Sequence, residues 1–447
     1  MPASGRNPKI PWDRYTDGPG DSRGVRGPAP LTGWTMLDTA LAPWPSYSEE
    51  EVEAASRVLR SNRVNYWTGR EGRAFEEEFA ALVGVEHAVA VTNGTVALDL
   101  ALLAAGVGSG DEVVVTPRSF IASASAVVNA GATPVFADVD LDTQNITADT
   151  ISSVLTPRTR AVICVHLAGW PCEMDRIMEL ANREGLTVIE DCAQAHGARY
   201  RGRNVGSIGH VAAWSFCQDK IITTAGEGGM ITTNDRRMWE RIWSFKDHGK
   251  SWEAVYEREH PPGFRWVHES FGTNWRLTEI QSAIGRIQLR RLAEWSAARR
   301  SNAEALAETC RPYASIRVPS VPTHVDHAYY RLFLFVRPEK LGPGWSRDRM
   351  VEAIKAKGIP CYPEGICPEI YREAAFVGTG YRPAERLPNA RTLGETSLTF
   401  LVHPTITEAQ MKAVCEGLGA VVEEATGPDS GPRAGRGATV RVATTSG

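Results

Sequence analysis

A lysine able to act as an amine stands at position 220, in Trp214-Ser215-Phe216-Cys217-Gln218-Asp219-Lys220, and a glycine cluster, Gly226-Glu227-Gly228-Gly229, follows it. Ser215 ends a strand-like run and offers a hydroxyl. The glycines let the loop fold tightly and leave room for a bulky group. A desolvated lysine near other cations has a lowered pKa and can condense with a carbonyl to an imine. A lone lysine is more often a solvated surface charge, so the case for Lys220 rests on its company.

That company is spread along the chain. In Val188-Ile189-Glu190-Asp191-Cys192-Ala193-Gln194-Ala195 an apolar strand ends in Asp191. A carboxylate there can hold a protonated pyridine nitrogen and make the ring an electron sink; read alone, it is equally a helix cap. In Ala90-Val91-Thr92-Asn93-Gly94-Thr95 a strand runs to Asn93 and a helix begins at Thr95. Gly94 allows close backbone approach, and the first helical N–H groups point outward, which makes an anion cradle. The plain alternative is an ordinary N-cap with Thr95 as the capping residue. Asn274 and Arg276, in Phe271-Gly272-Thr273-Asn274-Trp275-Arg276, stand just before a helix and can donate to phosphate oxygens. Phe120, after a strand ending near Thr116, can stack on a planar ring, although most such residues are core. Together these pieces supply a phosphate cradle, a ring stacker, a carboxylate for a ring nitrogen and an imine-forming amine.

The elements that must position them alternate. Helical patterns at Glu49–Ser61, Arg73–Val83, Thr95–Ala105, Ile121–Asn129 and Glu173–Glu184 interleave with short apolar runs at His87–Val91, Glu112–Thr116, Pro134–Ala137, Ala161–Val165 and Thr187–Glu190. This predicts an α/β fold, a mostly parallel central sheet flanked by helices, with ligands beyond the C-terminal strand ends. Past Arg276 a long helical stretch runs from Thr278 toward Leu306. Arg331–Val336, Asp348–Lys357 and Glu408–Leu418 then suggest a smaller C-terminal α+β domain. The expected division is a flexible N-terminal extension at 1–36, a large domain at 37–300, a small domain at 301–425 and a disordered tail at 426–447.

Length and composition fit this. The 447 residues allow a large core, and a net charge of -4 gives no bulk attraction to nucleic acid. The eight cysteines form no Cys-x-x-Cys pair and have no histidine pattern beside them, so no metal site is expected. No apolar run is long enough to cross a bilayer, and Met1 to Gly33 lacks the apolar core of a secretion signal. A cytoplasmic protein without membrane or nucleic-acid partners is expected.

From about Pro43 to Leu418 the chain resembles the DegT/DnrJ/StrS family of sugar aminotransferases, which are fold-type I enzymes using pyridoxal 5'-phosphate (PLP). The matching pieces are Thr-Asn-Gly-Thr at 92–95, Glu-Asp-Cys-Ala-Gln-Ala at 190–195, Ser-Phe-Cys-Gln-Asp-Lys at 215–220, Gly-Glu-Gly-Gly at 226–229, Gly-Thr-Asn-Trp-Arg at 272–276, His327-Ala328-Tyr329 and Leu401-Val402-His403-Pro404. The resemblance implies that Lys220 binds PLP covalently, that Asp191 pairs with its ring nitrogen, and that Gln194 lies near its ring hydroxyl. It also implies phosphate contacts from Gly94, Thr95 and Ser215 and ring stacking by Phe120. Asn274 is implied to reach the phosphate of the neighbouring subunit, which means a homodimer with shared active sites. The implied reaction moves an amino group, from glutamate by family analogy, to a nucleotide-linked keto-sugar with ping-pong kinetics. Candidates to meet the diphosphate are His248, Lys250, Arg276 and Arg331. Two departures stand out: Cys217-Gln218-Asp219 before the lysine, and an inserted stretch from Trp252 to His268. A keto-cyclitol acceptor is the alternative within enzymes, and a non-catalytic PLP-binding regulator the alternative outside them. Against the regulator, the sequence shows no DNA-binding helix pair and no basic patch.

Overall fold

The structure, a computed structural model, describes residues 41–426. The extension expected at 1–36 and the tail beyond Thr426 lie outside the described residues, and Thr426 itself caps the last described helix.

Seven strands form the central sheet in the order His87–Val91, Gly229–Thr233, Val211–Ser215, Thr187–Asp191, Thr159–Val165, Glu112–Val115, Thr133–Phe136. Gly229–Thr233 is antiparallel to both of its neighbours, and every other adjacent pair is parallel. The remaining strands therefore share one direction and end at one edge. Short Val/Ile/Ala-rich runs suit this because both faces are covered.

Side chains alternate across the sheet. Val89, Val113, Ile163, Ile189 and Ala213 pack on one face with the apolar helix Gly94–Ala104 and with Ile242 and Trp243 of the helix Arg236–Lys246. Val162 and Val188 pack on the other face against Met174, Ile177 and Leu180 of the helix Met174–Glu184. Farther along that face Ala90, Ala212, Trp214 and Met230 meet Phe75 and Phe79 of the helix Glu71–Val83, with Leu289 and Leu292. The latter two belong to the helix Glu279–Cys310, capped by a reciprocal Thr278–Gln281 box.

Beyond that helix lies a four-stranded antiparallel sheet in the order Ile316–Arg317, Leu332–Val336, Ser397–Phe400, Cys361–Tyr362. The helices Arg347–Ala356 and Glu408–Ala425 accompany it. No described helix is long and apolar enough to cross a membrane.

Several expected elements shift. The helix placed at Thr95–Ala105 runs from Gly94 to Ala104, and its cap is Asn93, whose side chain accepts from the Val96 N–H at 2.9 Å. Asn93 wins because its short carboxamide reaches the N3 amide, while Thr95 is already inside the first turn. The glycine cluster is not only a loop, since Gly229 opens the antiparallel strand between Val91 and Ser215.

Candidate active site

The loops following the co-directed strands converge at their C-terminal edge. Asp191 ends its strand and is buried. Its Oδ2 accepts from Ser123 Oγ at 3.0 Å and its Oδ1 from the Ala193 N–H at 3.1 Å. Burial pushes its carboxyl up, and these donors together with Lys220 and His166 only partly counter that. A buried carboxylate of this kind gains when a cationic nitrogen is brought against it.

Lys220 is mostly buried, its side chain 16% exposed. Its Nζ lies 3.7 Å from Asp219 Oδ1 and 5.0 Å from the Tyr330 ring centroid. Burial pulls the ammonium down, but Tyr330, Asp219, Cys217 and Asp191 outweigh burial and hold it above its usual range. This corrects the lowered amine expected from sequence: the groups gathered here are mainly acidic, not cationic. Asp219 is itself held low: burial pushes it up, but Lys220, Tyr330 and Arg331 outweigh that. Arg331, whose Nη2 is 3.9 Å from Asp219 Oδ2, has a buried Nε without a partner.

Gln194 is buried and its Oε1 accepts from the Ala168 N–H at 2.8 Å, which leaves the amide nitrogen to donate. The Ala168 carbonyl accepts from the Tyr330 N–H at 2.8 Å, tying Gln194 to the wall beside Lys220. Phe120 is not core: it is 65% exposed, and the neighbouring Ser119 hydroxyl is 2.8 Å from that of Ser123, which bonds Asp191.

Gly94 and Ser215 meet face to face. A Cβ on Gly94 would lie 2.6 Å from Ser215 Cβ, and one on Gly229 would lie 2.3 Å from the Asn93 carbonyl oxygen. Only glycine allows this approach. The Gly94 and Thr95 amides open the helix at its positive end, beside the Ser215 hydroxyl. Amides and a hydroxyl at a helix start, a buried carboxylate, an amine and an exposed aromatic ring fit a phosphorylated pyridine aldehyde.

The four proposed diphosphate contacts do not form one group. Arg276 donates to Asp247 Oδ1 at 2.7 Å and Lys250 Nζ to the same oxygen at 3.0 Å, while Lys250 Nζ lies 3.9 Å from the Trp67 ring centroid. Asp247 is fully buried, so both cations are already engaged. The His248 N–H bonds the Thr273 carbonyl at 2.9 Å, and the exposed Asn274 bridges Asp247 through backbone. This segment is joined to the phosphate-turn region, since the Thr92 N–H bonds the Trp275 carbonyl at 3.0 Å. Arg331 stands apart, with Lys220.

Sequence reasoning missed Ser123, Tyr330 and the functional weight of Asp219. Asp219 carried a signal, adjacency to the lysine. Ser123 and Tyr330 carried none, because only the fold brings them to Asp191 and Lys220. His166 was also missed. Its Nε2 donates to Glu190 at 2.9 Å while its Nδ1 accepts from the Cys172 N–H. With Cys192, these two side chains have the spacing of a metal cluster. Glu190 is already filled by the Gly206, Ile208 and Gly209 amides, so the arrangement braces the strand ending in Asp191.

Comparison with known proteins agrees with this geometry. Residues 45–419 match the DegT/DnrJ/EryC1/StrS aminotransferase family. A GDP-perosamine synthase of Caulobacter vibrioides is 39% identical over 385 residues, covering 83% of this chain and 98% of that protein. The crystal structure of an aminotransferase from Psychrobacter cryohalolentis is 55% identical with a TM-score of 0.83, covering 85% of this chain and 98% of that one. The structure of Streptomyces venezuelae DesV in complex with a ketimine intermediate is 34% identical with a TM-score of 0.74, covering 84% and 94%. With a matching family over most of its length and a site built to receive PLP, the chain belongs to the DegT/DnrJ/EryC1/StrS aminotransferases and is a PLP-dependent transaminase of fold type I.

Proposed function

We propose that this transaminase moves an amino group from glutamate to a keto-sugar carried on a nucleoside diphosphate. The observation carrying the reading is the convergence of Lys220, Asp191, Ser215 and the Gly94–Thr95 turn on one sheet edge. The relative named GDP-perosamine synthase supports the acceptor class.

Bound PLP supplies an aldehyde carbon for an amine and a ring that accepts the electron pair released at the substrate carbon. Lys220 Nζ would hold PLP through that carbon and, when free as an amine, would take and return the proton at the reacting carbon. Asp191 holds the ring nitrogen protonated, with Ser123 and the Ala193 amide fixing its two oxygens. The Gln194 amide nitrogen would be free to donate to the ring hydroxyl, and Phe120 would stack on the ring. Gly94 and Thr95 N–H groups with the Ser215 hydroxyl bind the phosphate. Tyr330 holds Asp219, and Asp219 holds Lys220 in place between half-reactions.

Asn274, exposed in its own chain, reaches the phosphate bound by a second copy, so the working unit is a homodimer. Arg331 meets the anionic part of the substrate on the Lys220 side. Lys250, His248 and Arg276 meet the diphosphate by partly exchanging Asp247 for it. Among the described residues, those up to 300 form the cofactor domain and 301–425 the smaller one, with the helix Glu279–Cys310 crossing between them.

The test is a split reaction. PLP-loaded enzyme mixed with glutamate alone releases 2-oxoglutarate in a single turnover, and a nucleotide-linked keto-sugar then returns the PLP absorbance. Return with a keto-cyclitol only would reassign the acceptor. No release of 2-oxoglutarate would remove glutamate as the donor.

A further inference from the structure

A second cavity lies behind the sheet. Side chains alternate along Val211–Ser215, so Trp214 points away from the side on which Ser215 faces Gly94. There Trp214 lines a half-open cavity of about 430 Å³ together with Phe79 and Leu292. That volume is within the range that encloses small-molecule ligands.

Two polar side chains that line it lack hydrogen-bond partners among the described residues. His196 is fully buried and packs on Trp214 and Phe216 at 5.3 and 5.6 Å between ring centroids. The Ser215 backbone is close enough to favour its protonation slightly, yet neither ring nitrogen completes a hydrogen bond. Ser296 Oγ is also buried without a partner. Gly197 lies between them: a Cβ there would be 3.0 Å from Ser296 Oγ. The Gly197 turn, at φ +81°, is exposed. Unpaired buried polar atoms cost free energy unless a ligand or water meets them.

The rim is cationic. Arg199 and Arg300 are exposed there. Arg300 pairs loosely with Asp326 at 3.7 Å, and Arg199 Nε donates to Asn204 Oδ1 at 3.1 Å. Each guanidinium keeps donors to spare.

We infer that this cavity is a binding site for a small aromatic carboxylate, with its ring between Phe79, Trp214 and Leu292 and its carboxylate at Arg199 and Arg300. A hydroxyl or ring heteroatom meets Ser296, and His196 after a shift of the Gly197 turn. The site is independent of the identity of the transamination substrate.

Calorimetric titration of the full-length, PLP-loaded chain with 1-naphthoate tests this. One saturable site per chain is expected. Ala293→Trp, an exposed position at the cavity mouth, weakens binding by about 10-fold or more, equivalent to about 1.4 kcal/mol. Arg199→Glu combined with Arg300→Glu weakens 1-naphthoate but not neutral 1-naphthylmethanol. Unchanged cofactor absorbance in each variant certifies the fold. Absence of saturable binding, equal affinity in Ala293→Trp, or equal affinity in the charge-reversed chain would each overturn the assignment.

Discussion

Lys220 is set among acids, and the chemistry it must perform makes that placement testable. Capture of an aldehyde needs the neutral amine, and the surroundings hold the ammonium above its usual pKa. Below that pKa the neutral fraction grows about 10-fold per pH unit, so a cofactor-stripped chain takes up PLP faster as pH rises between about 7 and 9. Asp219→Asn removes one raising charge and speeds uptake at neutral pH. Stopped-flow absorbance reads both, and a pH-independent rate in the parent chain would contradict the assignment. At Asp191 the argument runs through burial. Asp191→Asn leaves a bound pyridinium without its counter-charge in a water-poor site, at a cost of about 2–5 kcal/mol. Cofactor titration and turnover together measure it, and near-parent values in both would exclude the pairing.

At the scale of elements, the site depends on two backbone approaches that only glycine permits. Gly229→Ala puts a Cβ 2.3 Å from the Asn93 carbonyl, a backbone atom that cannot swing away. The expected loss is about 1–3 kcal/mol, shared between thermal stability and PLP affinity because the phosphate turn must move. A differential melt with and without PLP separates the shares, and an unchanged affinity would detach that turn from the cofactor. The same elements show what the sequence made legible. His87–Val91 and Glu49–Ser61 were readable to the residue from alternation and helical spacing. The strand Gly229–Thr233 was hidden because its opening glycine looks like loop, and its identity depends on filling the gap between two strands distant in sequence. The helix Arg236–Lys246 also escaped, although Asp235, which caps it, was a usable signal. The placing of Lys220, Asp191 and Ser215 at the C-terminal edge of the sheet was legible from the strand ends beside them. The engagement of Arg276 and Lys250 by Asp247 was not, since a buried counter-ion cannot be told from a solvated neighbour in sequence alone.

The whole molecule carries its own titration. Burial, followed by nearby Lys220 and Arg299, pushes His196 down to about 3. Burial and Arg300 push His327 down to about 3, and burial and Arg299 push His403 down to about 4. A histidine with a depressed folded pKa contributes stability that is complete above its unfolded value of about 6.5 and is lost as pH falls through the folded value. These histidines therefore lower the urea midpoint from about pH 6.5 downward, while burial-raised carboxyls such as Asp191, Glu76 and Glu279 act in the opposite sense, so the histidine share is read as a difference between variants. His196→Phe, which keeps the packing on Trp214 and Phe216, flattens that part of the curve. A pH dependence identical in the parent chain and in His196→Phe would mean that this ring is not buried neutral in solution.

The most direct measurement concerns the covalent link on which the catalytic account depends. Borohydride reduction of the PLP-loaded chain, followed by proteolysis and mass spectrometry, should place the pyridoxyl group on the peptide containing Lys220, and Lys220→Ala should abolish that label while other lysine peptides stay unmodified. A fully loaded chain whose label falls on another lysine, or that carries none, would contradict the account.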